Sequence, residues 1–186
     1  MDPLLIEIPE QIESERLLLR APRSGDGTLI FPSVRESLSE LKIWMPWASD
    51  DYREESSEQW CRRSAASFIT REQLQFLMFL RENRSHVGNI GAFKFDWNIP
   101  KGEIGYWLRT SHCGRGLMSE AVNALSDFLL DKLQFKRVEI RCDEKNLRSS
   151  AVAQRCGFAL EGTHRCDSKA ADGSLRNTRV YARIAG

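Results

Sequence analysis

Residues 110–122 read TSHCGRGLMSEAV, with two glycines and an arginine between a His-Cys pair and the start of a helical pattern. Glycines in a strand-to-helix loop let several backbone N–H groups converge at a helix amino end, a geometry that binds anions and phosphates above all. Arg115 adds a cationic arm for a phosphate oxygen. The Walker pattern G-x-x-x-x-G-K-[ST] is absent, and the dinucleotide pattern G-x-G-x-x-G fails because Ser119 stands at its third glycine. Taken alone, Gly114 and Gly116 read first as the pieces of a tight strand-to-helix turn. Cys113, beside His112 and just before a helix amino end, has the setting in which a thiol pKa falls, so it is a candidate nucleophile.

The elements that must position this loop follow from periodicity. Alternating or β-branched stretches at residues 16–20, 76–81, 86–95, 103–108, 137–142, 158–162 and 175–184 predict seven strands. RENRS after the second strand and ADGS before the last are turn-forming, so both flanking pairs read as antiparallel hairpins. Helical signals cover residues 33–43 after Pro32, residues 54–70 with acids in the first turn, residues 117–129, and residues 147–156 closed by Gly157. The order predicts a mixed α/β (α+β) domain with a mainly antiparallel sheet, one parallel crossing around the long helix, and about four flanking helices. No repeat or linker divides the chain, so residues 1–186 read as one domain with residues 1–12 as an amino-terminal extension.

Composition excludes several classes of function. The 27 basic and 26 acidic side chains nearly cancel and form no long blocks, so a nucleic-acid partner is not expected. No apolar run approaches the roughly 18–20 residues that cross a bilayer, and residues 1–9 carry acids where a signal peptide carries Lys or Arg. The reading is a cytoplasmic protein without a membrane partner. Cys61, Cys113, Cys142, Cys156 and Cys166 are odd in number and lack a C-x-x-C pair, which argues for free thiols. His86, His112 and His164 share no metal-ligand spacing, so no metal is expected.

EIGYWLRTSHCGRGLMSEAVNAL, then VEIRCDEKNLRSSAVAQRCGFALEG, and the closing YARI together resemble the Gcn5-related N-acetyltransferase (GNAT) superfamily, and within it the RimJ/RimL branch of protein amino-terminal acetyltransferases. The likeness spans about residues 13–184. It implies a sheet splayed between the fourth and fifth predicted strands and acetyl-CoA as the acetyl donor. The pyrophosphate cradle of that family maps onto Cys113, Gly114, Arg115, Gly116, Leu117 and Met118, with Ser119 next to it; Cys113 replaces the usual Gln or Arg and Met118 the usual small residue. Backbone amides around Tyr106, Trp107, Leu108 and Arg109 are implied to bind pantetheine and the thioester oxygen. Asn146 and Ser149 map beside the pantetheine arm and sulfur, and Asn146 also suits a helix N-cap.

Acyl transfer to an amine needs a neutral amine, a polarised carbonyl and a thiolate that gains a proton. An α-amine, with a pKa near about 8, is deprotonated at much lower cost than a lysine at about 10.4. Ser149 is the first candidate proton donor and Ser150 the second. Glu103 and Asp167 are the candidate bases; each also reads as an ordinary surface acid. Trp44 and Trp47, with the acids after them, resemble the acceptor-side loop of the RimL-like branch, and they read equally as core anchors. Direct attack by the amine is the expected route, with an acetyl-Cys113 intermediate as its rival. A protein amino terminus is the leading acceptor. A small-molecule amine, a CoA-binding module without turnover, and a ligand-free self-associating scaffold are the alternatives; the resemblance also leaves a homodimer open.

Overall fold

Eight strands and four α-helices form the fold in the computed structural model, which describes residues 2–170 and 172–186. In chain order they are β1 (Gln11–Glu13), β2 (Leu17–Arg20), α1 (Gly27–Trp44), α2 (Glu54–Ile69), β3 (Leu74–Leu80), β4 (His86–Asp96), β5 (Lys101–Leu108), α3 (Leu117–Asp127), β6 (Arg137–Asp143), α4 (Leu147–Arg155), β7 (Ala159–Lys169) and β8 (Leu175–Ile184). The strands form one sheet ordered β1-β2-β3-β4-β5-β6-β8-β7. Every neighbouring pair is antiparallel except β5 with β6.

The period-two alternation sorts side chains onto two faces. Leu17, Leu19, Phe76 and Met78 pack with Ala121, Leu125 and Val152 of α3 and α4. Leu18, Leu77, Phe79 and Trp107 pack with Ile30, Val34, Leu38 and Cys61 of α1 and α2. Helices therefore cover both faces of the sheet.

The feature that makes a site is the gap between the parallel strands. β5 pairs with β6 only from Lys101↔Arg137 to Ile104↔Ile140. Beyond that point β5 continues against β4 as far as Leu108, while β6 continues against β8 as far as Asp143. Residues 105–108 and 141–143 thus diverge, as expected for a splayed sheet.

Three expectations change. The sheet has an eighth strand, β1, which begins in the last two residues of the stretch read as an extension; three residues are too few to show an alternation, and β1 is defined by its pairing to β2. Helix α1 begins at Gly27, so Pro32 lies inside it rather than at its start, at the expense of the hydrogen bond that the Thr28 carbonyl would accept. β7 runs to Lys169 through two register shifts, and these bulges hide its alternation. In ADGS, Ala171 lies outside the described residues, and Gly173 takes a left-handed φ of 82°.

Candidate functional site

The loop after β5 forms a backbone nest. Gly114 and Gly116 both adopt left-handed conformations, with φ of 78° and 76°, and Gly116 is the residue before the first turn of α3. Side chains avoid that region, which is why the position calls for glycine. The N–H groups of Leu117, Met118 and Ser119 belong to the first turn and have no intrahelical acceptor, since Glu120 makes the first bond, to the Gly116 carbonyl. Glu120 ties the start of α3 to the turn between β1 and β2: its carboxylate accepts from the Ser14 hydroxyl at 2.7 Å, the Arg16 N–H at 2.7 Å and Arg16 Nε at 2.7 Å. Arg16 in turn donates to the Arg115 carbonyl at 2.9 Å.

Side chains at this loop depart from the sequence reading. Arg115 is exposed and does not line the cleft. Arg109 turns away to Glu36 of α1, donating through Nε at 2.6 Å, and Glu36 also accepts from the Ser111 N–H at 3.0 Å. The Ser111 side chain foremost, then Arg109 and the Ser111 N–H, hold the Glu36 carboxyl down at about 2. Partial desolvation raises the Cys113 thiol and outweighs the opposing Arg148 charge, and Sγ lies 3.7 Å from the Arg109 carbonyl. The lowered thiol pKa expected from the helix end is absent. Arg155, at the end of α4, lines the cleft and donates to Ser119 Oγ at 3.3 Å, a cation beside the nest that no sequence signal marked.

From the nest a cleft of about 1460 Å³ runs across the splay to the α1 and α2 side of the sheet. At the splay, the Tyr106 hydroxyl lies 3.0 Å from Ser149 Oγ and 3.3 Å from the Ser149 carbonyl. Burial drives the Tyr106 pKa well above its ordinary value, so the phenol keeps its proton. Asn146 caps α4, its Oδ1 accepting from the Ser149 N–H at 3.0 Å, and both residues line the cleft. Ser150 is buried behind them, 3.5 Å from Cys142 Sγ.

Beyond the splay the walls become aromatic. Trp47 packs against Tyr52 and Trp107 with centroids 5.6 Å and 6.3 Å apart, and Trp44 lies under the Arg176 guanidinium. Glu103 lines the same region and accepts from Lys94 Nζ at 2.8 Å. Asp167 is elsewhere: on the bulged part of β7, it pairs with Arg141 at 2.9 Å, and its pKa is lowered by the Thr178 hydroxyl and by Arg141. Arg141 reaches the cleft wall but Asp167 does not. Sequence reading also missed Gln59, Trp60 and Arg63 of α2, Gln75 of β3 and Asn89 of β4, which line the cleft. Their positions depend on how α2 lies across the sheet, and no local motif encodes that.

Among the described residues no group of histidine, cysteine and acidic side chains is placed to hold a metal, and no helix is long and apolar enough to cross a membrane.

Comparison with known proteins agrees with this geometry. The family model of the acetyltransferase (GNAT) domain matches residues 16–159. The ribosomal-protein-serine acetyltransferase of Escherichia coli (strain K12) is 38% identical over 171 residues, covering 92% of this chain and 94% of that protein. RimL, a ribosomal alpha-N-protein acetyltransferase solved in complex with coenzyme A, superposes with a TM-score of 0.87 at 25% identity, over 94% of this chain and 98% of that one. The microcin self-immunity acetyltransferase MccE, solved with acetyl-CoA and AMP, superposes with a TM-score of 0.89 at 22% identity, over 95% of this chain and 97% of the other. Nest, splay and sequence likeness converge: the chain belongs to the GNAT acetyltransferase family and is an acetyl-CoA-dependent N-acetyltransferase.

Proposed function

We propose that the protein acetylates the amino-terminal α-amine of another protein in the cytoplasm, by direct attack of that amine on acetyl-CoA. The observation that carries the reading is the form of the cleft at its acceptor end. Trp47, packed against Tyr52 and Trp107 on the cleft wall, remains 42% exposed, so the mouth there is open and aromatic, suited to a chain entering end-on. The E. coli relative, named for acetylating a ribosomal protein, supports the same acceptor class.

In this reading the amides of Leu117, Met118 and Ser119, with the left-handed glycines, hold the pyrophosphate of the donor, and Arg155 adds charge. Backbone amides at the free edge of β5, near Tyr106 and Trp107, polarise the thioester carbonyl. The α-amine forms the C–N bond as the C–S bond breaks. Its surplus proton leaves toward Glu103 through water, and the departing sulfur takes a proton from Ser149, which regains one from solvent in the open cleft and whose Oγ is oriented by the protonated Tyr106.

Mass spectrometry of the purified protein with acetyl-CoA and a panel of peptides, free amino acids and polyamines tests this. Acetylation at peptide α-amines supports the proposal. Acetylation of small amines alone overturns the protein acceptor, and CoA binding without turnover of any acceptor overturns catalysis.

A further inference from the structure

A buried polar string under α1 ends in the cleft without a protein partner. Ser33, His86 and Asn89 are 1%, 5% and 6% exposed. His86 Nδ1 lies 2.9 Å from Ser33 Oγ and His86 Nε2 lies 2.8 Å from Asn89 Oδ1. With the Asn89 oxygen facing Nε2, that nitrogen carries the ring proton, and Nδ1 accepts from the Ser33 hydroxyl, which also lies 3.3 Å from the His86 carbonyl. Burial pushes His86 down to about 4, and the ring is neutral at working pH. One tautomer therefore satisfies Ser33, His86 and the oxygen of Asn89 together.

The Asn89 nitrogen is left over. No described protein group pairs with Nδ2, and Asn89 lines the cleft. Its residue stands opposite Leu77 on one side and Trp107 on the other, on the α1 face of the sheet. Adjacent strands are about 4.8 Å apart, so Asn89 sits one strand from the free β5 edge where acyl transfer takes place. Burying three polar groups is costly unless each is used. The string fixes the Asn89 amide at the cleft wall, beside Trp107 of β5, and leaves its two N–H donors for a carbonyl or carboxylate oxygen in the cleft.

We infer that Asn89 binds the acceptor's carbonyl oxygen, the one on the carbon next to the amine-bearing carbon, and that His86 and Ser33 are positioning residues that fix the Asn89 amide. This deepens the acceptor reading above, and it applies to the two sources of that chemistry, a peptide amino terminus or a free amino acid.

The test compares three acceptors in wild type and Asn89→Asp: a seryl peptide, free serine, and the corresponding amino alcohol with the carbonyl group reduced away. Asp keeps an oxygen for His86 but replaces the N–H donors with a second oxygen. The expected result is a KM for the carbonyl-bearing acceptor raised about ten-fold or more, with a smaller change in kcat and none for the carbonyl-free amine. Equal losses for all acceptors, or an unchanged KM, overturn the assignment. If Asn89→Asp does not fold, the wild-type ratio decides, since equal kcat/KM with and without the carbonyl also overturns it. His86→Gln, which still donates to Oδ1, should restore the KM that His86→Leu raises; equal defects in both variants overturn the positioning role. If only free serine is acetylated and its KM depends on Asn89, the protein-acceptor reading falls while the Asn89 assignment stands. A peptide acetylated independently of Asn89 gives the reverse.

Discussion

The Tyr106 hydroxyl lies 3.0 Å from Oγ of Ser149, joining β5 to α4 across the widening gap of the sheet. A buried phenol with a raised pKa remains a donor, and the serine it contacts stands at the second residue past the start of a capped helix. Ser149→Ala should lower kcat by about 100-fold while leaving CoA affinity nearly intact, the range expected for a lost general acid. Tyr106→Phe should lower kcat less, by about ten-fold, because Ser149 retains its own proton. Steady-state kinetics with a thiol-detecting assay measures both. A Tyr106→Phe variant as slow as Ser149→Ala would identify the tyrosine as the donor to sulfur.

Gly116 tests the nest separately from the chemistry. At its φ of 76° an added Cβ would meet only Arg16 Nη2, at 3.6 Å, so crowding is minor and the penalty of substitution is conformational. Gly116→Ala should cost about 1–2 kcal/mol of stability and weaken CoA binding, with Gly116→Asn milder because asparagine tolerates this region. Thermal melts with and without CoA read both effects. Equal CoA affinity in glycine, asparagine and alanine forms would show that the pyrophosphate is not held by this backbone.

Local signals made the fold legible where period and punctuation agree. The β5 strand, the glycine loop and the start of α3 are contiguous, so EIGYWLRTSHCGRGLMSEA carries strand, nest and helix in one stretch. Asn146 was readable both as a cap and as a cleft residue, and the structure gives it both positions. The α1 and α2 side of the cleft was not legible, because Gln59, Trp60 and Arg63 reach it through the lie of α2, and Asn89 through a strand that reads only as apolar alternation. Arg115 departs from its expected place for a related reason. A charge near a nest suggests a phosphate arm, but the fold uses the carbonyl of this residue as an anchor for Arg16 and leaves its side chain in solvent.

Cys113 lines the nest, but its thiol is raised by burial and is not activated. Cys113→Ser should therefore keep turnover within about two-fold of wild type, since a nucleophile needs thiolate character that this site does not supply. Intact-mass measurement during turnover should show no acetylated enzyme. Loss of activity with CoA binding retained would restore the covalent route.

Glu120 is a structural tie with a functional reading. Its carboxyl is desolvated by partial burial, and bonds from Ser14 and Arg16 nevertheless hold its pKa below the ordinary value. Glu120→Ala removes the carboxylate that Ser14 Oγ and the Arg16 N–H and Nε donate to, and so loosens the arginine that holds the Arg115 carbonyl. A loss of about 1–3 kcal/mol in stability is expected, together with weaker CoA binding and a kcat close to wild type at saturating donor. Denaturant melts and donor titrations separate these effects. A changed kcat at saturation would point to a role in the chemistry.

His86 gives the pH dependence of stability a definite sign. Its pKa falls from 6.5 in the unfolded chain to about 4 in the fold, so the unfolded state takes up the proton first as the solution is acidified. The stability associated with the neutral ring is therefore complete above about pH 6.5 and is lost progressively as pH falls toward about 4. Burial is the largest cause, with the nearby Arg109 charge acting in the same direction and Asn89 and Asp26 opposing it. His86→Gln cannot titrate there and should lose this part of the slope, so its stability relative to wild type should improve on going from pH 7 to pH 4.5. Urea melts at a series of pH values measure the difference. Parallel pH profiles for the two proteins would mean that His86 has the same proton affinity in both states, in conflict with a neutral ring held between Ser33 and Asn89.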